Sequence, residues 1–428
     1  MNTSLKIKIA LVIIGIFLAS IFFQGSLGGQ VIFSKTIEFE NVPLPSPRSW
    51  KLVDKLEEKE DELEKLQLTI STNSFDFYEY RTIQSGNKIT TNKKKLSEHN
   101  KDIGFKIVNK DSGEVRIIMV SVVVGKDGIK LISPPGYQIE IEARSNGIKW
   151  NKWNTAYKII SPEGWFVLEN RYPIINDKIQ KVTIQDKKGK KRTANKKVYS
   201  IEYFTYSPYS PDLHFSELVD EGKEYLKRVV REALVDLKER RVYSRTDPKV
   251  LVADLESMSA NFFGRLPILE HTDMTEFSED PQRSTERVLV LIGANKEVAF
   301  SKTGSSAGAL GWVQYTSKTY KAIRKAYPSA RLIEDFEVGA SDHLNSMKAA
   351  ILLYDYNLKP LIEKKGFNVL NDPRLEEYLA ASYNGSPKWV FQSLKSSIFG
   401  SFDWPTKLKN ETKGYLYKIR YLQDKDLP

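Results

Sequence analysis

Between residues 304 and 315 the chain reads Gly-Ser-Ser-Ala-Gly-Ala-Leu-Gly-Trp-Val-Gln-Tyr, with small residues giving way to aromatic ones and a glutamine. Glycine admits positive φ and lets a backbone approach a ligand with no Cβ between them. An extended polymer could therefore lie along this stretch, held by exposed amides and by the side chains of Ser305 and Gln314. The same composition also suits a tight turn between packed helices, where small residues serve only close contact. Other chemistries are closed off. The chain has no cysteine, so thiol catalysis and cysteine-based metal sites are excluded. Its four histidines, His99, His214, His271 and His343, show no metal-ligand spacing. Neither a metal nor a cofactor is expected.

The elements that must position such a stretch belong to a chain of 428 residues, long enough for two or three domains. An apolar fraction of 41% is that of a folded protein, and the net charge of +11 predicts attraction to polyanions. The polyanion could be nucleic acid, anionic lipid headgroups or an acidic cell-wall polymer; no nucleic-acid motif accompanies the charge, so a surface role is expected and nucleic acid is not. Lys6 and Lys8 precede an uncharged apolar run over residues 9–23. Residues 1–29 thus read as a signal peptide or a short membrane anchor, the anchor being preferred because no A-x-A cleavage site follows. Basic residues before the run place the remainder outside the cytoplasm, in the cell envelope.

Residues 30–73 read as a linker followed by a helix. Val-Pro-Leu-Pro-Ser-Pro at 42–47 is stiff and extended. Leu52, Leu56, Leu63, Leu66 and Ile70 then recur at helical spacing over 51–70, interrupted by Lys59, as a solvated helix or a short dimer contact. Over 74–206 the period changes to two, with turn signals at Asp111-Ser112-Gly113, Gly125-Lys126-Asp127-Gly128 and Ser145-Asn146-Gly147. This predicts a β-rich domain, a sandwich or barrel, whose Trp150, Trp153 and Trp165 are core residues or, less simply, a glycan platform. The basic run 187–192 reads as a solvated hairpin tip or a site for an anionic polymer. Tyr206-Ser207-Pro208-Tyr209-Ser210-Pro211 marks a boundary. From 212 to 428 the pattern is helical, with helices expected at 215–237, from Asp247-Pro248 to Phe263, a third begun or kinked at Pro267, and others at 287–295, 315–327, 343–356, 375–381, 387–394 and 413–422. The fold class is α+β, a β-rich domain followed by an all-α one.

Three segments in order carry a resemblance. Residues 304–321 resemble the S-x-x-G-A-x-G-x-x-Q segment of lytic transglycosylases, nearest to the membrane-bound B-type enzymes. Ala380-Ala381-Ser382-Tyr383-Asn384-Gly385 resembles the family's A-x-Y-N-x-G motif. Glu411-Thr412, with Tyr415 three residues on, resembles its terminal E-T-x-x-Y. The match spans about half the chain and leaves the β-rich domain outside it. It implies a lysozyme-like helical domain that cleaves the MurNAc–GlcNAc β-1,4 bond of peptidoglycan and leaves a 1,6-anhydro product.

The family's reaction uses one glutamate as acid and then as base, placed at the end of a buried helix before the glycine loop. Leu266-Pro267-Ile268-Leu269-Glu270-His271 offers one after an apolar run, and Glu270 is the preferred candidate. Glu297 is the alternative, although Lys296 beside it favours the ionised form; Glu286 reads as a helix-start charge. By resemblance Ser305 and Gln314 contact the sugar or steady the acid. Tyr383 directs its hydroxyl toward the glutamate, and Asn384 binds the substrate or the loop. Tyr383 and Asn384 could instead form a helix C-cap with an Asn-Gly turn. Trp312 stacks on a sugar or packs in the core. His271 stands where the family has Ser or Thr, and Asp273 could act as a second carboxylate. That leaves a hydrolytic muramidase of the same fold as an alternative, and a non-catalytic wall-binding scaffold as another.

Overall fold

The computed structural model describes residues 50–85, 88–125, 128–142, 152–185, 191–305, 307–395 and 404–427. The expected N-terminal membrane segment, Trp150, the Ser145-Asn146-Gly147 turn and most of the basic run 187–192 lie outside these residues. Among the described residues no helix is long and apolar enough to cross a membrane. The molecule is α+β, a sheet region followed by a helical one.

Six strands form one antiparallel sheet: β1 (Ile70–Ser85), β2 (Lys88–Asn109), β3 (Val115–Gly125), β4 (Gly128–Ile132), β7 (Trp165–Gln185) and β8 (Lys191–Tyr206). The order is β4-β3-β2-β7-β8, with β1 also paired to β2. A separate pair, β5 (Gln138–Ile141) and β6 (Tyr157–Ser161), covers one face. Alternation explains the arrangement: in β3, Val120, Val122 and Val124 are buried while Met119 and Val123 are exposed. The buried set meets Ile139, Tyr157 and Ile159 of the β5–β6 pair in a small core. Trp165 is buried there under the Arg116 guanidinium, 4.4 Å from the ring centre. Trp153 packs edge-on against Phe204 and Tyr206. Both tryptophans are packing residues.

Three expectations need correction here. The expected single helix over 51–70 is two short ones, α1 (Leu52–Glu57) and α2 (Glu60–Glu64). Lys59 between them adopts φ 58, which lets Leu52 and Leu63 both reach the interior. The chain then enters β1 at Ile70. The apolar seam is consumed by this molecule's own sheet: a Cβ on Gly104 would come within 2.7 Å of Leu66. The expected helix from Asp247 to Phe263 is instead a turn, a short 3-10 segment at Val252–Asp254, and α4 (Ala260–His271). Buried Asp355 holds the turn open by accepting from Ser244 Oγ (2.6 Å), Arg245 N (2.7 Å) and Tyr327 Oη (2.7 Å). The expected sandwich or barrel is an open sheet with the small strand pair on it.

The remaining helices are α3 (Ser216–Glu239), α5 (Met274–Glu279), α6 (Pro281–Asn295), α7 (Ser317–Ala326), α8 (Phe336–Ser341), α9 (His343–Lys365), α10 (Leu375–Asn384), α11 (Pro387–Lys395) and α12 (Asn410–Asp424). Helices α3 and α6 cross at two glycines, where a Cβ on Gly222 would lie 2.1 Å from Leu289 O and one on Gly293 2.1 Å from Leu218 O. Helix α9 is buried along most of its length and forms the axis of the helical region. One hydrophobic core runs from Val108, Phe166 and Tyr206 of the sheet into α3, α4, α6 and α9. The segment between them is buried and clamped, since Asn295 accepts from Ser207 N (2.7 Å) and donates to Ser207 O (3.0 Å).

Candidate active site

Glu270 is the penultimate residue of α4, whose residues from Phe262 to Leu269 are all buried. The helix thus delivers a carboxyl from the apolar interior to a half-buried position. Its end is held by α12. Lys418 is buried and donates to two carbonyls at the end of α4, Leu269 O (3.1 Å) and Thr272 O (2.5 Å), satisfying groups that the helix leaves free. One turn earlier on α12, the hydroxyl of buried Tyr415 donates to Glu270 Oε1 at 3.0 Å. Residues three apart share a helix face, so Tyr415 and Lys418 reach the same end of α4 together.

Desolvation by the surrounding protein pushes the Glu270 pKa up to about 7, against the Tyr415 hydrogen bond and the Lys418 charge, which favour the carboxylate; the Glu411 charge adds to the rise. Near neutral pH the group is therefore present both as acid and as base. Two further tyrosines, Tyr315 and Tyr383, feel its charge as Tyr415 does. The hydroxyls of Tyr315, Tyr383 and Tyr415 all titrate well above the ordinary range, through burial first and then the Glu270 charge together with the neighbouring tyrosines. Tyr383 donates to Val313 O at 2.6 Å, and its ring is 5.9 Å from that of Tyr315. The Tyr315 and Tyr383 hydroxyls influence each other's titration, yet no hydrogen bond of ordinary geometry joins them. The buried Tyr315 hydroxyl has no hydrogen-bond partner among the described residues.

The glycine loop lies over this end of the helix. Strands β9 (Ala309–Leu310) and β10 (Tyr315–Thr316) pair across it, with Gly308 at φ 77 and Gly311 at φ 82. At Gly311 a Cβ would sit 2.0 Å from Ala340 O, so the loop needs glycine there for space as well as conformation. Ser305 is exposed, and its hydroxyl accepts from Ala309 N at 3.1 Å. Gln314, at φ 50, donates its amide to Thr303 O (3.1 Å) and Gly311 O (2.6 Å). Both side chains staple the loop itself. Trp312 is fully buried, stacks on His343 at 3.9 Å and donates to Ser346 Oγ at 2.7 Å, which makes it a core residue.

The motif residues 383–385 meet α12. Asn384 Oδ1 accepts from Thr412 Oγ1 at 2.9 Å. Gly385 is right-handed, with φ −104, so the alternative reading of a left-handed Asn-Gly cap does not hold. Its glycine serves close approach, because a Cβ would meet Thr412 Oγ1 at 2.8 Å. Tyr383, expected to direct its hydroxyl toward the glutamate, donates it to Val313 O and fixes the loop, while the hydrogen bond to Glu270 comes from Tyr415. Of the other carboxylates, Glu297 is exposed and pairs with Arg228 at 3.5 Å. Glu286 accepts from His214 (2.9 Å) and Gln282 (2.9 Å), and the His214 bond holds its pKa low. Asp273 is an exposed N-cap, accepting from Thr275 N (2.8 Å) and Glu276 N (3.2 Å). His271 stacks on Phe300 at 3.9 Å, and burial pushes its pKa down to about 3, so its ring stays neutral.

Sequence reasoning assigned no role to Tyr315 or Lys418, and took Tyr415 only as the end of a motif. The available signal was the three-residue step from Tyr415 to Lys418. No family model, curated protein or solved structure matches the chain, which leaves the chemistry of the Glu270 cluster as the ground for a function.

Proposed function

We propose that the protein is a lytic transglycosylase of the cell envelope, its helical region a lysozyme-like domain that cleaves the β-1,4 bond between MurNAc and GlcNAc in peptidoglycan. The observation that carries this reading is Glu270: one carboxyl at the end of a buried helix, bonded by a tyrosine hydroxyl, with its pKa raised to about 7. A general acid works best when its pKa is near the ambient pH. Protonated Glu270 gives its proton to the glycosidic oxygen. The resulting carboxylate then takes the proton of the sugar C6 hydroxyl, whose oxygen closes the 1,6-anhydro ring. An intramolecular hydroxyl removes the need for the second carboxylate that ordinary glycosidases use. Asp273, the nearest such candidate in sequence, is committed to capping α5.

Tyr415 orients the acid, and the Ser305–Gln314 loop with Asn384 forms the floor on which the glycan lies. The basic net charge suits a polyanionic wall. The test is digestion of purified sacculi with product analysis by mass spectrometry. Wild type should release anhydro-ended muropeptides, and Glu270→Gln should lower the rate by at least about a hundredfold. Reducing-end products would indicate a muramidase instead. Undiminished cleavage by the Gln variant would remove Glu270 from the reaction.

A further inference from the structure

Pairing of β7 with β2 ends at Arg171, but its pairing with β8 continues from Tyr172 opposite Phe204 to Gln185 opposite Lys191. At roughly 3.3 Å per residue this two-stranded ribbon extends on the order of 45 Å. A hairpin with no third strand is marginal in water. This one nevertheless turns apolar side chains outward: Ile179 is 73% exposed, Tyr199 49% and Ile201 46%. Register and alternation put these three on one face with Ile175, which lies opposite Ile201, and away from the face of buried Phe204 and Tyr206. The same face carries exposed Lys197 opposite Ile179, its Nζ 5.3 Å from the Tyr199 ring centre, and further out exposed Lys181 and Lys191. Residues 178–198 hold nine Lys or Arg and one Asp, which is most of the chain's net charge of +11.

We propose that the outer β7–β8 ribbon docks on an anionic phospholipid bilayer. The Ile175, Ile179, Tyr199 and Ile201 strip would enter the headgroup boundary while the lysines meet lipid phosphates. A soluble polyanion would require only the charge and would leave the apolar strip in water. A second copy of the ribbon would bring like charges together. An anionic interface takes both features, since aromatic residues favour the headgroup level and lysine stems lie along apolar surface with their ammonium groups outward. This inference is independent of the reaction at Glu270.

The chain lacks cysteine, so Ile201→Cys in the full-length protein can carry a single environment-sensitive fluorophore. With vesicles of phosphatidylcholine mixed with phosphatidylglycerol, its emission should shift to the blue and brighten several-fold. Phosphatidylcholine alone should give little change. A label at exposed Lys249→Cys in the helical region should not respond. Replacing Lys181, Lys191, Lys196 and Lys197 by Glu should abolish the Ile201 response, with far-UV circular dichroism checking that the sheet survives. No response to anionic vesicles overturns the proposal. So does an equal response to inorganic polyphosphate, which would mark a polyanion site, or one that grows with protein concentration alone, which would mark self-association.

Discussion

Glu270 is pulled in two directions by its neighbours. Burial favours the neutral acid, while Tyr415 and Lys418 favour the carboxylate; burial wins and leaves the pKa at about 7. Removing the cation should let burial win further. Lys418→Met is therefore expected to move the alkaline limb of the kcat/KM–pH profile up by about one unit. A merely structural role for Lys418 would lower activity without moving that limb. The same pKa also predicts a stability effect. The folded state holds the Glu270 proton more tightly than the unfolded chain, whose ordinary value is 4.5. Stability from this group is full below that value and is lost as pH rises toward 7. Glu270→Gln removes the loss, so the variant should be more stable than wild type at pH 8 by up to about 3 kcal/mol, with the gain fading by pH 4. Urea midpoints at the two pH values measure it. The expected activity loss and stability gain in one variant are characteristic of a residue held at a cost for chemistry.

At the scale of elements, the site exists because the end of α4, the glycine loop and α12 meet. The loop's two left-handed glycines separate conformation from space. Gly308 has nothing within 4 Å of an added Cβ, whereas Gly311 faces Ala340 O at 2.0 Å. Gly308→Ala should cost about 1 kcal/mol through backbone strain alone. Gly311→Ala should cost on the order of 3 kcal/mol or more, because α8 must also move. Equal costs in thermal denaturation would mean that the Ala340 contact is unimportant. At Gly385 the requirement is spatial only: its close contact with Thr412 brings α10 against α12 and so helps to set Tyr415 over Glu270.

In the whole molecule, sheet and helices are joined by a shared core and by the Asn295 clamp on Ser207. Such continuity predicts a single cooperative unfolding transition, with tryptophan fluorescence and far-UV circular dichroism coinciding. Asn295→Ala would leave the buried Ser207 amide and carbonyl without partners and should destabilise the protein by on the order of 2 kcal/mol. Two separated transitions in the wild type would show that the regions unfold independently and that the shared core does not couple them.

Local patterns were enough to locate the sheet, most of the helices and the buried helix that ends at Glu270, because each depends on near neighbours in the chain. The alternation of 115–124 is a property of β3 alone, and the apolar run before Glu270 is a property of α4 alone. The break at Lys59 was visible only as an interrupted seam, since it depends on Leu52 and Leu63 both reaching the interior. The missing helix after Asp247 was not visible at all. Its reason is Asp355, more than a hundred residues away, which accepts from Ser244 Oγ and Arg245 N and so pins the chain just before Asp247 in a turn. The site divides in the same way. Ser305, Gln314, Trp312 and Tyr383 were named from their motifs, but only packing turned the first two into loop staples, buried the third and gave the fourth to Val313. The tyrosine that holds Glu270 and the lysine that caps its helix come from α12, some 145 residues downstream. Whether a carboxyl is an acid near neutral pH depends on what surrounds it, and that is fixed by residues brought together only when the chain folds.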